Sequence, residues 1–246
     1  MAFQIDVLTI FPDFFEGPLE ESLVKRARQN GRVEIRIHNL RDHTRDRHKT
    51  VDDKPFGGGP GMVMKPEPIF ECVEALQAKE KKPGLKSAGG LGWVVLLDAG
   101  GESLTPKLAK ELSRRKRLIL ICGHYEGVDY RVQEGLADQV ISVGDFVTMG
   151  GEAPALCLME AVIRFVPGVL GNRDSLKEES FQHGYLEYPQ YTRPRKFRGW
   201  EVPEILASGN HREVEKWRQT VSRQITRKKR PDLMEKITLI KKETNL

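Results

Sequence analysis

The chain is poor in cysteine, with only Cys72, Cys122 and Cys157 in 246 residues. Their spacing suits neither a disulfide frame nor a zinc site, and they are expected as buried thiols of a reducing compartment. Long apolar runs are also missing: the uncharged apolar stretches fall far short of the ~18–20 residues of a membrane helix. The first residues, Met1-Ala2-Phe3-Gln4-Ile5-Asp6, have neither the basic start nor the apolar core of a secretory signal. A cytoplasmic protein without a membrane partner is expected. No HExxH, GxSxG or CxxC occurs, so metalloprotease, serine-hydrolase and thiol-redox readings lose their usual support. Gly57-Gly58-Gly59-Pro60-Gly61 fits neither GxGxxG nor a phosphate loop with its Lys-Ser/Thr, and it follows no clear strand. No metal-ligand cluster stands out, so no metal residue is assigned and a divalent ion such as Mg is not indicated.

What is present is unevenly charged. The formal net charge is +5, but residues 191–246 hold 15 Lys/Arg against 7 Asp/Glu, whereas residues 1–190 hold 25 against 28. A basic appendage on a slightly acidic body suits a polyanion, and a solvated helical surface is the plain alternative. Tyr191-Thr192-Arg193-Pro194-Arg195-Lys196-Phe197-Arg198-Gly199-Trp200 interleaves cations with aromatics. That pattern suits phosphate contacts plus base stacking, and so favours RNA.

Periodicity predicts alternating strands and helices over the first two-thirds. Strands are expected at Phe3–Ile10, Val33–His38, Trp93–Leu97, Leu118–Cys122 and Gln139–Val143. Helices are expected around Leu19, Leu23 and Ala27, from Pro66 through Leu76, after Thr105-Pro106 up to the basic run Arg114–Arg117, from Asp129 to Ala137, and from about Pro154 to Val166. Lys79–Gly92 reads as an exposed loop. Repeated βα units imply a mostly parallel sheet covered on both faces. After Gly168 a polar stretch reads as a linker, and helices are expected at Glu204–Ala207, Asn210–Thr226 and Asp232–Lys242. The organisation expected is 1–167 as an α/β domain, 168–190 as a linker and 191–246 as a basic helical domain.

Two glycine-rich loops end apolar runs: Cys122-Gly123-His124-Tyr125-Glu126-Gly127, and Ser142-Val143-Gly144-Asp145-Phe146-Val147-Thr148-Met149-Gly150-Gly151-Glu152-Ala153-Pro154. Loops at strand ends are where open α/β sheets place ligands, so a small-molecule site is expected there.

These loops closely resemble those of bacterial tRNA (guanine-N1)-methyltransferases of the SPOUT superfamily. So do Phe11-Pro12, Val51–Phe56 with Gly57–Met62, Arg164–Gly171, Tyr191–Pro194, Ser208–His211 and Trp217-Arg218. The resemblance implies a deep trefoil knot spanning roughly Trp93 to Val166, a rare exception to unknotted folds. It implies S-adenosylmethionine as methyl donor and a homodimer with composite active sites. The implied cofactor residues are Leu96 and Leu97 at the first loop, then Gly123, Tyr125, Glu126 and Gly127 at the second. Ser142, Val143, Gly144, Asp145, Phe146, Val147, Thr148, Gly150, Gly151 and Pro154 complete the pocket. Two departures stand out: Asp98-Ala99-Gly100-Gly101 replaces the family's Ser-Pro-Gln-Gly element, and His124 replaces a more usual arginine.

The implied reaction is methylation of N1 of guanine at tRNA position 37, beside the anticodon. Neutral guanine carries a proton on N1, so a general base must remove it while a cation stabilises charge developing on O6. Arg164 matches the family's catalytic arginine. Glu179, in Lys177-Glu178-Glu179-Ser180-Phe181, stands where the family has an aspartate and is the expected base, with Glu178 as its competitor. The C-terminal cations Arg193, Arg195, Lys196, Arg198, His211, Arg212, Lys216, Arg218 and Arg223 are expected to grip the anticodon stem-loop. A SPOUT enzyme acting on another RNA site, and a noncatalytic RNA-binding protein, are the alternatives.

Overall fold

The computed structural model describes residues 2–78, 92–172 and 175–243. The expected loop Lys79–Gly92 lies, apart from Gly92, outside the described residues. The chain divides into two units, residues 1–171 and 172–246, so residues 172–190 belong to the second.

In chain order the first unit comprises β1 (Phe3–Thr9), α1 (Glu16–Leu19), α2 (Ser22–Gln29), β2 (Val33–Asn39), β3 (Asp52–Asp53), β4 (Val63–Met64) and α3 (Pro66–Ala78). It continues with β5 (Trp93–Ser103), α4 (Pro106–Leu112), β6 (Arg117–Cys122), α5 (Tyr130–Gly135), β7 (Gln139–Ser142) and α6 (Glu152–Ile163). Five strands form a sheet in the order β2-β1-β6-β5-β7, every pairing parallel. The unit is therefore mixed α/β around a central parallel sheet.

Both faces of the sheet are buried, and β6 shows why its sequence is an unbroken apolar run. Leu118, Leu120 and Cys122 point to one side, where Leu108 and Leu112 of α4 and Leu158, Met159 and Val162 of α6 pack. Ile119 and Ile121 point to the other, against Ile69, Cys72, Val73 and Leu76 of α3 and Val132 of α5. Local signals set the helix starts. The Thr105 hydroxyl accepts from the Leu108 N–H at 3.2 Å ahead of Pro106, and the Asp129 carboxylate accepts from the Arg131 N–H at 3.0 Å.

One expected boundary is wrong. The basic run Arg114–Arg117 does not complete α4, which ends at Leu112. Arg117 instead opens β6, buried, with Nε 2.6 Å from Oδ2 of Asp6 on β1. His38 on β2 lies 2.6 Å from the other carboxylate oxygen. Burial pushes the Asp6 carboxyl up, but hydrogen bonding to His38 and Arg117 outweighs it and holds the pKa below the usual carboxylate value.

The second unit contains α7 (Ser175–Glu178), the hairpin β8 (Lys196–Phe197) and β9 (Trp200–Glu201), α8 (His211–Lys229) and α9 (Pro231–Glu243). Residues 181–188 run along α8. Ser222 donates to the Leu186 carbonyl at 2.6 Å, and Thr226 accepts from the Leu186 N–H at 2.8 Å. Three cation–π contacts follow: Arg218 on Tyr188, Arg223 on Tyr185 and Arg230 on Phe181, at 4.7, 5.9 and 5.9 Å.

Candidate active site

A bulge within β5 and the loops at the C-terminal ends of β6 and β7 converge on one cleft, together with the first turn of α6. Its walls are Leu97, Asp98 and Ala99; Gly123 to Gly127; Ile141, Ser142 and Val143; and Phe146, Val147, Thr148, Gly150, Gly151 and Pro154.

The first wall exists because β5 is interrupted. Leu97 and Glu102 both pair with Ile141, so Asp98–Gly101 bulge out between them. Gly101 permits this: a Cβ there would lie 2.5 Å from the Ile141 nitrogen. The Asp98 carboxylate accepts from the Gly100 N–H at 2.8 Å and closes the turn.

The second loop is clamped from beneath by β4 and its approach. The Glu126 N–H donates to the Met62 carbonyl at 3.0 Å, and the Met64 N–H to the Gly127 carbonyl at 2.9 Å. Tyr125 adopts φ +61°, a left-handed conformation uncommon for an aromatic residue. The third loop joins the second through a 2.7 Å bond from the Gly151 N–H to the Gly123 carbonyl and an antiparallel bridge between His124 and Gly150. A Cβ on Gly151 would lie 2.7 Å from the Cys122 Cα. Phe146, Val147 and Met149, on the outer part of this loop, are largely exposed.

Behind the wall lies a buried polar group. Glu152, the first residue of α6, is 3% exposed and accepts from the Thr9 hydroxyl at 2.7 Å. Its second oxygen is 3.8 Å from Nδ1 of His124, whose ring packs edge-on against Phe11 and Tyr125 at 4.8 and 4.9 Å. Burial, with the Glu152 charge adding to it, pushes the Cys122 thiol well up, so it stays protonated and inert.

Leu97, Gly123, Tyr125, Glu126, Gly127, Ser142, Val143, Phe146, Val147, Thr148, Gly150, Gly151 and Pro154 thus share one cleft. Leu96, Gly144 and Asp145 are not among its walls: Leu96 points into the core of the α3 face. Asp98, Ala99, His124 and Ile141 line it without having been assigned to it. The Gly-Gly inside a strand pattern was the available signal for the first two. The buried carboxylate of Glu152 had none, because its partner is far away in sequence.

Arg164 caps the C-terminus of α6, the helix whose first turn carries Pro154. Glu179 belongs to the second unit and, with Glu178, His183, Tyr185, Tyr188, Arg218 and Arg223, lines a separate cleft. There the Tyr188 hydroxyl donates to Glu178 at 2.8 Å, and burial followed by that bond raises the phenol's pKa. Among the described residues no group of three His, Cys, Asp or Glu is placed to hold a metal ion.

The sequence profile of the tRNA (Guanine-1)-methyltransferase TrmD family matches residues 3–236. The chain belongs to this family. Individual tRNA (guanine-N(1)-)-methyltransferases match over nearly its whole length. It is 51% identical to that of Dictyoglomus turgidum over 99% of this chain and 94% of the relative. It is 50% identical to one from Dehalococcoides mccartyi over 99% and 95%, and 50% identical to that of Moorella thermoacetica over 96% and 92%. The family match thus spans both units and not the α/β unit alone.

Proposed function

We propose that the chain transfers the methyl group of S-adenosylmethionine to N1 of guanine 37 in tRNA, the base beside the anticodon. The observation that carries this is the convergence of a strand bulge and two strand-end loops on one cleft in a chain matched to the family from residue 3 to residue 236.

The cleft suits the donor. Leu97, Ile141, Val143, Phe146, Val147 and Pro154 offer apolar surface to a flat ring, and Tyr125, Glu126, Ser142 and Thr148 offer polar edges. The enclosed volume, about 190 Å³, falls below the ~300–1,000 Å³ of sites that engulf a small molecule. A second copy closing the open side, active sites shared in a homodimer, and a knotted path over residues 93–166 are part of this reading.

When bound, S-adenosylmethionine supplies an activated methyl on a sulfonium. The chain's own residues must unstack the guanine, at a cost of roughly a few kcal/mol, and hold N1 in line with that methyl. Glu179 of one copy takes the N1 proton, and Arg164 stabilises the charge that spreads to O6. Glutamate in place of aspartate adds one methylene to the reach of the base. The basic residues from Arg193 to Arg223 hold the anticodon stem-loop, and a cytoplasmic location follows from that substrate. Among the described residues no helix is long and apolar enough to cross a membrane.

The test is incubation with methyl-labelled S-adenosylmethionine and a tRNA transcript carrying guanine 37, beside one lacking it. Label is expected in the first only. Equal labelling of both would move the reaction to another RNA site, and labelling of neither would leave a binding protein.

A further inference from the structure

Tyr191, Phe197 and Trp200 are exposed by 48%, 56% and 74%, and all three line one cleft of about 380 Å³ in the second unit. Single exposed aromatics are ordinary, but three around one concavity are not. The hairpin explains their alignment. Arg198 and Gly199 both have positive φ, +48° and +88°, as a two-residue turn matched to strand twist requires. Phe197 and Trp200 are direct cross-strand partners and therefore project to the same face. One step down, the Val202 N–H donates to the Arg195 carbonyl at 2.9 Å, so Arg195 and Val202 extend that face. The alternate pair, Lys196 and Glu201, forms an ion pair at 2.9 Å. Arg193 and Arg195 also line the cleft, and the Arg198 guanidinium lies 5.2 Å from the Phe197 ring.

This surface asks for a flat, unsaturated group attached to an anion. The aromatic faces would add nothing to a contact with phosphate alone, and a paired stem keeps its bases stacked inside. The surrounding residues 191–246, with 15 Lys/Arg against 7 Asp/Glu, favour a polyanion over an apolar protein surface. We propose that the hairpin Lys196–Glu201 is a stacking platform for one unpaired base of the tRNA, laid on the Trp200–Phe197 pair with Arg193 and Arg195 beside its phosphate. This rests on the tRNA reading above and adds to it a second contact on the RNA, outside the methylation cleft.

The experiment uses the full chain and the guanine-37 transcript. Trp200→Ala and Phe197→Ala are each expected to raise the Kd for tRNA by about 5- to 100-fold, the usual worth of one stacked base. Trp200→Phe should recover most of that loss. The slope of log K against log salt should stay unchanged, because no phosphate contact is removed. With 2-aminopurine placed in turn at each unpaired anticodon-loop position, one position should be quenched by the native chain and not by Trp200→Ala. Far-ultraviolet circular dichroism and a thermal melt of each variant, matched to the native chain, verify that the second unit is folded.

A Kd within twofold of the native value overturns the platform. So does a reduced salt slope, which would mean a phosphate contact. Sedimentation showing that Trp200→Ala breaks a dimer would assign the face to a second copy and overturn it as well. Native protein that turns over the transcript beside a Trp200→Ala variant that binds normally would sink the platform alone. Native protein that neither binds nor methylates the transcript would overturn the functional reading and the platform with it.

Discussion

The Thr9 hydroxyl donates to Oε1 of Glu152 at 2.7 Å, joining the end of β1 to the first turn of α6 across 143 residues of chain. Both residues are buried, and the same hydroxyl accepts the Phe11 N–H at 2.9 Å. A carboxylate at a helix N-terminus is favoured by the macrodipole, but out of water it needs partners. Thr9→Val keeps the shape and removes the donor, so it is expected to cost about 1.5–3 kcal/mol, the worth of a hydrogen bond to a charged group. Urea unfolding at fixed protein concentration measures it. An unchanged midpoint would mean that His124 alone satisfies Glu152.

The Asp6 cluster makes a prediction about acid. Burial opposes ionisation of Asp6, but hydrogen bonds with His38 and Arg117 prevail and its folded pKa is depressed. A depressed carboxylate contributes stability in full above its unfolded value of about 3.9. That contribution fades as pH falls through the lower folded value. Urea midpoints taken from pH 7 down to pH 2.5 should therefore fall on the acid side in the native chain and fall less in Asp6→Asn. At neutral pH the same substitution removes a carboxylate that both His38 and Arg117 contact and should lower the urea midpoint.

Gly101 carries the bulge, and the bulge carries the cleft wall. Gly101→Ala would set a methyl group against the backbone of Ile141 at 2.5 Å, whereas at Gly100 the added carbon meets only the Asp98 carboxylate, at 3.2 Å. S-adenosylmethionine affinity measured by titration calorimetry should drop at least tenfold in Gly101→Ala and change much less in Gly100→Ala. Equal effects would show that the wall's position does not depend on the close approach of β5 to β7.

The sheet was legible because both of its faces are covered, so β6 past Arg117 is written as one continuous apolar run, Leu118–Cys122. Arg117 was misread because a basic run after a helix looks like a helix end. What overrules that is Asp6, 111 residues away, and a pairing of that kind leaves no local mark. The hairpin at Lys196–Glu201 escaped notice because two-residue strands are too short for alternation to register. The candidate cleft was legible where its walls are consecutive, as in Gly123–Gly127. It was not where a wall depends on register, as Asp98 and Ala99 do, or where burial hides a supporting charge, as it does for Glu152.

Glu178 and Glu179 are adjacent carboxylates lining one cleft, so the choice of base is decided by substituting each in turn. The Glu178 carboxylate accepts the Tyr188 hydroxyl at 2.8 Å and lies 3.6 Å from Arg218. With Glu179 as the base, standing where the family has an aspartate, Glu179→Gln is expected to lower single-turnover methylation at least 10²-fold, in the range that general-base removal costs, while S-adenosylmethionine and tRNA still bind. Raising the pH should recover part of that rate, since N1 of guanine then loses its proton to solvent unaided. Glu178→Gln should keep turnover within a few-fold and loosen the Tyr188 contact instead. If Glu178→Gln is the inactive variant and Glu179→Gln is not, the proton leaves through Glu178, and the Tyr188 bond has to break before each transfer.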